Sequence, residues 1–468
     1  MYLSEEEDDY NLSLSKFESM LKTNKVLFFD SEEFEEIILH YLDIGKATLA
    51  KKALKLGLEQ HPNSTGLRLV QVEMYVFDDK LDLADKLLNE LEAIEPQNEE
   101  IYIQRASIFS KKNQNEKAIE CLKIALQYTD DTADVYNLLG MEYLFMDNLE
   151  AAKVSFMKCL EEDYEDQTAL YNVVYCFEFL DQNEEAIAYL DTYINENPYS
   201  EIAWHQSGRL HYGLKKYEEA LRAFDYATLI DDEFLGAFME KAKTLEKLKK
   251  YEEAIVAYNR TMELDDPTSY AYLRIGKCHE RLGNKKLAID FYNKTVHEDP
   301  LLDKGWVAIT DFYLRQKNFQ KALLFLNKAL SIDNENKQYW KRYGAINREM
   351  KLYEEAEMGY RKAVHFGDTE LDTWLFWVDS LQFVDEFEAA VKTLLRATEF
   401  YPESFEIEYR LSGLYFMLGK DIKGKFHINN ALRLNGKNYL LLKELFPVAW
   451  NRRMVQNIIK KHLDSGKF

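Results

Sequence analysis

The residue types that perform most enzyme chemistry are scattered along this chain. It has nine histidines and four cysteines. The nearest histidine pair, His205 and His211, is six residues apart and falls on different faces of a helix. Acidic clusters such as Glu161-Glu162-Asp163 fall at predicted turns, where carboxylates cap helices. These patterns favour packing and capping over metal binding or acid–base catalysis.

No recognised catalytic or nucleotide-binding motif is present. The patterns GxxxxGK(S/T), GxGxxG, HExxH and GxSxG do not occur. The cysteines show no CxxC spacing, so we expect reduced core residues in a reducing compartment; they are Cys121, Cys159, Cys176 and Cys278. The sequence therefore predicts a protein that is not an enzyme, with no catalytic residue, metal site or cofactor.

A fixed internal period organises most of the chain. Alanine returns every 34 residues and glycine takes the twelfth slot, at Ala50, Ala84, Ala118, Ala152, Ala186, Ala220, Ala254, Ala288, Ala322, Ala356, Ala390 and Gly424. A period sustained without insertion is typical of a stacked repeat array. Function is therefore expected on a repeated surface rather than in a pocket.

Each repeat, counted from Ser31, carries the pattern of two amphipathic helices. Position 4 is usually aromatic, position 8 small, position 24 large and positions 20 and 27 small, as in Trp204, Gly208, Phe224, Ala220 and Ala227. At about 100° per residue, positions 4, 8 and 11 share one face of a first helix, and positions 20, 24 and 27 share one face of a second. Such a hairpin cannot bury its apolar face alone, so neighbouring repeats must stack.

This spacing resembles the tetratricopeptide repeat family, as does the local signature Tyr217-Glu218-Glu219-Ala220, which recurs at 251–254 and 353–356. The resemblance covers residues 31–438. It implies an all-α fold, a right-handed superhelical solenoid of about twelve 34-residue helix-turn-helix repeats. We predict flanking segments at both ends: an acidic segment with a capping helix over 1–30, and a basic, apolar capping helix segment over 439–468.

The first helix of each repeat has an outward arc at positions 2, 5, 9, 12 and 13. The family resemblance implies that this arc lines a concave face, where partners bind as extended peptides or helices. In repeats four and five the arc is apolar and aromatic, and it holds Met141, Leu144, Phe145, Tyr171, Tyr175 and Phe179. Large exposed apolar patches mark interaction sites, so we expect partner binding here. The alternative is that some of these side chains pack against the adjoining repeat.

Cations dominate the same arc in repeats six to ten. Arg209, Lys243 and Lys277 occupy position 9 in successive repeats, and Lys247, Arg281 and Arg315 occupy position 13. Stacking would turn them into two rows of positive charge that guide an acidic segment. The alternative is that each cation forms a surface salt bridge with a neighbouring glutamate.

Composition limits the classes of partner. The net charge of −23 argues against general nucleic-acid binding, because phosphate contacts need cationic surface. The first ten residues contain Glu5, Glu6, Glu7, Asp8 and Asp9, where a secretory signal would need a basic residue and an apolar run. No stretch approaches 18 consecutive apolar residues, so no membrane span is expected. We therefore predict a cytoplasmic protein.

These observations predict a non-catalytic scaffold or adaptor that binds a segment of a partner protein or peptide along the concave face. The partner segment is expected to be an acidic or aromatic-containing peptide or helix. Two alternatives stay open: a chaperone-like holder of unfolded chains, and a regulatory subunit of a larger enzyme complex. For residues 439–468, partner or membrane-surface binding is the alternative to capping. The sequence does not determine the oligomeric state.

Overall fold

The computed structural model describes residues 13–22, 27–265 and 268–464. Every regular element in these ranges is a helix, which confirms the predicted all-α class. The chain divides into two compact units, Met1–Ala237 and Phe238–Phe468.

The first unit contains one helix over 13–22 (α1) and six consecutive helix pairs among the described residues. Within each pair the two helices pack against each other as a hairpin. The helices are α2 Ser31–Asp43, α3 Ala47–Gln60, α4 Thr65–Phe77, α5 Leu81–Glu92, α6 Glu99–Lys111, α7 Asn115–Ala125, α8 Ala133–Phe145, α9 Leu149–Glu162, α10 Gln167–Phe179, α11 Asn183–Glu196, α12 Glu201–Gly213 and α13 Tyr217–Ile230.

The second unit repeats this arrangement. Its first helix, α14 (Leu235–Lys247), begins just before the boundary. There follow α15 Tyr251–Leu264, α16 Ser269–Arg281, α17 Lys285–Glu298, α18 Asp303–Arg315, α19 Phe319–Ile332, α20 Lys337–Glu349, α21 Tyr353–His365, α22 Leu371–Phe383, α23 Phe387–Ala397, α24 Phe405–Met417, α25 Asp421–Asn435, a 3-10 turn Gly436–Asn438, α26 Leu440–Leu445, α27 Pro447–Trp450 and α28 Arg453–Asp464.

The core repeats with the sequence period. Each of the periodic alanines from Ala50 to Ala390 is fully buried. A small residue at position 8 makes room for the ring at position 24: a Cβ added to Gly140 would lie 2.5 Å from Phe156 Cε1, and one added to Gly208 would lie 2.6 Å from Phe224 Cε1. The two helices of a hairpin can therefore approach closely only where position 8 is small.

The turn inside every hairpin uses a left-handed residue at position 15. Glycine occupies it in only three repeats, at Gly45, Gly283 and Gly419. Asp, Asn or Lys adopts the same positive φ in the other nine, as at Lys215 (62°) and Lys249 (61°). In the α14 turn, Lys249 N–H donates to Glu246 O and Lys250 N–H to Leu245 O, which is Schellman-type capping. This turn residue is not evident from the sequence, because a left-handed turn is usually recognised by its glycine.

Hydrophobic side chains of the first and last described helices pack against the neighbouring repeats. Near the start, Phe17 and Met20 of α1 lie in one buried cluster with Phe34 and Tyr41. Near the end, one buried cluster joins residues of α21–α25 with Leu442, Phe446, Ala449, Val455 and Ile459. The acidic run Glu5 to Asp9 lies outside the described residues. None of the helices within 13–22, 27–265 and 268–464 combines the length and apolarity needed to span a bilayer.

Glu142 on α8 provides a pH-dependent test of the packing. Its side chain is buried, and its Oε2 has no hydrogen-bond partner. Burial raises its pKa, and a hydrogen bond from Ser110 only partly opposes this. The folded state therefore holds this proton more tightly than the unfolded state, so the destabilisation caused by ionised Glu142 should decrease as pH falls. We expect Glu142→Gln to stabilise the protein by about 1 kcal/mol at pH 8, because an unsatisfied buried charge is removed.

Urea unfolding between pH 5 and 8 measures this effect, and the advantage of Glu142→Gln should shrink as pH falls. Glu150→Gln is the control of opposite sign. Hydrogen bonds from Lys153 and Gln182 lower the pKa of Glu150, so this variant should lose stability at neutral pH and approach wild type in acid. If the unfolding free energies of the two variants depend on pH in the same way, the opposite pKa shifts of Glu142 and Glu150 are contradicted.

Candidate protein-binding surface

The apolar residues predicted on α8 and α10 divide into two groups. Phe145, Tyr171, Tyr175 and Phe179 are exposed, and we call these four residues the aromatic patch. Leu144 and Met141 are instead half-buried against the core, and Asn172 Nδ2 contacts Met141 Sδ at 3.7 Å. The alternative of packing between repeats therefore describes Met141 and Leu144, but not the four aromatic rings.

Two rings of the aromatic patch form a contiguous face on α10. The Tyr175 and Phe179 centroids lie 4.3 Å apart, and Phe179 is 66% exposed. Phe145, at the matching last position of α8, is 63% exposed. Exposed aromatic rings at equivalent positions of successive repeats are a suitable surface for an apolar partner segment.

Arg209 lies beside the aromatic patch and is already partnered. Its Nη1 donates to Gln206 Oε1 at 2.7 Å, and its Nη2 lies 3.7 Å from Glu178 Oε2. Burial raises the pKa of Tyr171, whereas neighbouring Gln206 and Arg209 lower it. Arg209 is therefore not a free cation, because it contacts Gln206 and Glu178 at the edge of the rings.

In the second unit, two of the predicted cations form salt bridges. Lys243 Nζ lies 2.7 Å from Glu240 Oε1 and sits over the Tyr270 ring. Arg315 makes a bidentate pair with Glu280, at 3.0 and 2.6 Å. For these two residues the salt-bridge alternative describes the structure.

Lys247, Lys277 and Arg281 have no ion pair or side-chain hydrogen bond among the described residues, and we call them the basic set. Lys247 and Arg281 are exposed, whereas Lys277 is half-buried. Burial lowers the pKa of Lys277, and nearby Arg274 lowers it further. An incoming carboxylate would favour the charged form of Lys277 by Coulombic attraction and so oppose both effects.

The structure also shows salt bridges between adjacent repeats, formed by arginines at position 6, that were not predicted from the sequence. Arg274, Arg342 and Arg410 reach back to a carboxylate of the preceding repeat: Arg274 Nε to Glu246 Oε1 at 2.7 Å, Arg342 Nη1 to Asp311 Oδ1 at 3.0 Å, and Arg410 Nε to Asp379 Oδ1 at 3.0 Å. Glu246 and Asp311, which occupy positions 12 and 9 of the outward arc, are therefore already paired. An arginine with an acidic residue about thirty positions earlier was the available signal.

Neither a metal-binding cluster nor an activated thiol is found among the described residues. No three His, Cys, Asp or Glu side chains of the described part of the chain lie close enough to hold a metal ion. All four cysteines are buried and unbonded. Burial is the largest cause of the raised thiol pKa values of Cys159 and Cys278, each about 12. These thiols are protonated near neutrality and are poor nucleophiles.

Sequence profiles of known families match several of these hairpins. One tetratricopeptide repeat profile matches residues 99–132, 133–166 and 304–336. A second matches 205–267 and 239–302. The chain is a tetratricopeptide repeat protein. The residue ranges matched by the two profiles contain Met141, Phe145, the basic set and Arg315. Tyr171, Tyr175 and Phe179 lie in the hairpin between residues 166 and 205, which neither profile matches.

Named relatives of this tetratricopeptide repeat protein are distant. The human protein O-mannosyl-transferase TMTC3 is 28% identical over 169 residues, which are 35% of this chain and 18% of that protein. A tetratricopeptide repeat protein from Parabacteroides merdae is 22% identical, with 51% of this chain and 94% of that one covered at a TM-score of 0.36. The APC/C hetero-tetramer Cut9–Hcn1 contains a chain that is 14% identical, with 99% and 95% covered at a TM-score of 0.37.

Proposed function

We propose that this repeat protein is a non-catalytic scaffold or adaptor that binds a segment of another protein on the outward faces of its first helices. The tetratricopeptide repeat fold is generally a protein-interaction scaffold. The observation that carries the proposal is the aromatic patch, whose four rings are exposed although the surrounding apolar residues pack into the core. Rings left in water at the surface are best explained by a partner that covers them.

The preferred segment is acidic or contains aromatic residues. The basic set supports an acidic preference, since three cations on neighbouring helices lack partners in a chain of net charge −23. We place the protein in the cytoplasm because four unbonded thiols suit a reducing compartment. TMTC3 is named as a transferase, but the shared region is 18% of it, so we propose no transferase activity for this chain.

Removing the aromatic patch is the test of the proposal. We expect Tyr171→Ala, Tyr175→Ala and Phe179→Ala together to abolish binding to a partner identified by affinity purification and mass spectrometry. Losing rings from a binding hot spot typically costs about 2 kcal/mol or more. The helical circular dichroism signal and melting temperature should stay close to wild type, because these side chains are exposed.

The matched control removes three exposed apolar side chains that lie outside the first helices of the same unit, with Ile94→Ala, Tyr199→Ala and Leu229→Ala. It should bind like wild type. If the aromatic-patch variant unfolds, the replaced rings stabilise the fold and the binding proposal is contradicted. Recovery of many unrelated unfolded clients, rather than one stoichiometric partner, would favour the chaperone-like alternative.

Charge reversal in the basic set tests the acidic preference. We expect Lys277→Glu with Arg281→Glu to slow partner association by about tenfold at low salt, because charges lining a surface steer encounter. The difference should shrink at high salt as screening shortens the field. Lys285→Glu with Lys286→Glu, an equal charge change on the second helix of the same hairpin, is the control. Salt-independent wild-type association would leave these cations as ordinary solvated charges.

A further inference from the structure

A separate cleft of 1360 Å³ lies in the second unit between the end of α25 and α28. Five cationic side chains line it, namely Lys425, Arg433, Lys437, Arg453 and Lys461. No aspartate or glutamate contributes to its described lining. Every lysine, arginine, aspartate or glutamate in the described lining is therefore a cation, although the chain as a whole has a net charge of −23.

The five cations are also unpaired. Within the part of the chain that the structure describes, none of their side chains takes part in an ion pair or hydrogen bond. Two cations outside the cleft are paired: Arg452 Nη1 lies 2.8 Å from Asp421 Oδ1, and Lys420 Nζ lies 3.5 Å from Glu388 Oε1. Mutual repulsion among unpaired cations is relieved only by an anionic ligand or by solvent ions.

Apolar side chains form part of the same cleft. Leu432 is buried in the core cluster, and Met454 and Ile458 pack half-buried against it. The first turn of α28 contributes Arg453 and Met454 to the lining. The lining therefore combines positive charge at the rim with an apolar surface below.

We propose that this cleft binds an acidic peptide segment of another protein, with carboxylates pairing with the five cations and an apolar side chain lying on Leu432, Met454 and Ile458. A nucleic acid would be better served by aromatic rings for base stacking, and the lining has only His462 as a ring. A membrane surface would be met by a protruding amphipathic face rather than a concave one. The cleft is independent of the aromatic patch and the basic set.

The probe is a fluorescein-labelled peptide of sequence EDELEDLEE, titrated with the full chain and followed by fluorescence anisotropy. We expect saturable binding that weakens at least about tenfold in Lys437→Glu with Arg453→Glu, because like charges then face the peptide. Lys443→Glu with Lys460→Glu is the matched control, since both lysines are exposed in the same terminal region but outside the cleft. It should bind like wild type.

Two altered peptides separate the charged and apolar contributions. Replacing every acidic residue by its amide should abolish binding, and replacing both leucines by serine should weaken it severalfold. Each chain variant is compared with wild type by circular dichroism and thermal melting, so that a folding defect is recognised. Equal peptide binding by the cleft variant and wild type would overturn the proposal. So would cleft-dependent binding of single-stranded DNA or of phosphatidylserine vesicles without binding of the peptide.

Discussion

Replacing Arg410 with alanine is expected to destabilise the second unit by about 3–5 kcal/mol, because it leaves a carboxylate in a largely buried site without its partner. The Arg410 side chain is only 8% exposed, and that of Asp379 is 19% exposed. Arg410 Nε and Nη2 donate to Asp379 Oδ1 and Oδ2 at 3.0 and 3.2 Å. Urea unfolding of the full chain, followed by circular dichroism and tryptophan fluorescence, measures the loss.

A double replacement separates the pair from the packing. Arg410→Met combined with Asp379→Leu removes both charges while keeping similar volume, and such replacements of buried pairs are often neutral or stabilising. We therefore expect the double variant to recover most of the stability lost by Arg410→Ala. If Arg410→Ala unfolds at the same urea concentration as wild type, water can replace Arg410 as the partner of Asp379.

The second large effect is expected at the contact between α20 and α21. A Cβ added to Gly359 would lie 2.5 Å from Gly344 N and 2.7 Å from Gly344 Cα. These are backbone atoms that cannot rotate aside, so Gly359→Ala must push the two helices apart. Overpacking of this kind typically costs about 1–3 kcal/mol. The expected result is a lower urea midpoint for the full chain.

Gly213→Ala is the control for Gly359→Ala. Gly213 also lies in a helix, but a Cβ there would meet no atom within 4 Å. Alanine has the higher helix propensity, so this variant should be neutral or stabilised by up to about 1 kcal/mol. Hydrogen exchange should show the loss of protection in Gly359→Ala concentrated in α20, α21 and their neighbours, since repeats couple mainly to adjacent repeats. Uniform loss throughout the chain would contradict local coupling.

Regular features followed from the sequence because they depend on local periodicity. The 34-residue spacing predicted the hairpins and the buried alanines, and the pairing of a small position 8 with a ring at position 24 is seen at Gly140 and Phe156. Helical rotation alone places such residues on one face, so no long-range information is needed. The outward arc of α10 was predictable for the same reason, although whether Tyr171, Tyr175 and Phe179 bind a partner stays a prediction.

Charge pairing and close contacts were decided only by the tertiary structure. Arg281 and Arg315 both occupy position 13, yet Arg315 pairs with Glu280 whereas Arg281 has no ion pair among the described residues. Which carboxylate a long side chain reaches depends on its rotamer and on the separation of adjacent helices, and the repeat pattern specifies neither. The cationic cleft likewise exists only because the final helices turn back against α25 and bring Arg433 and Arg453 to one surface.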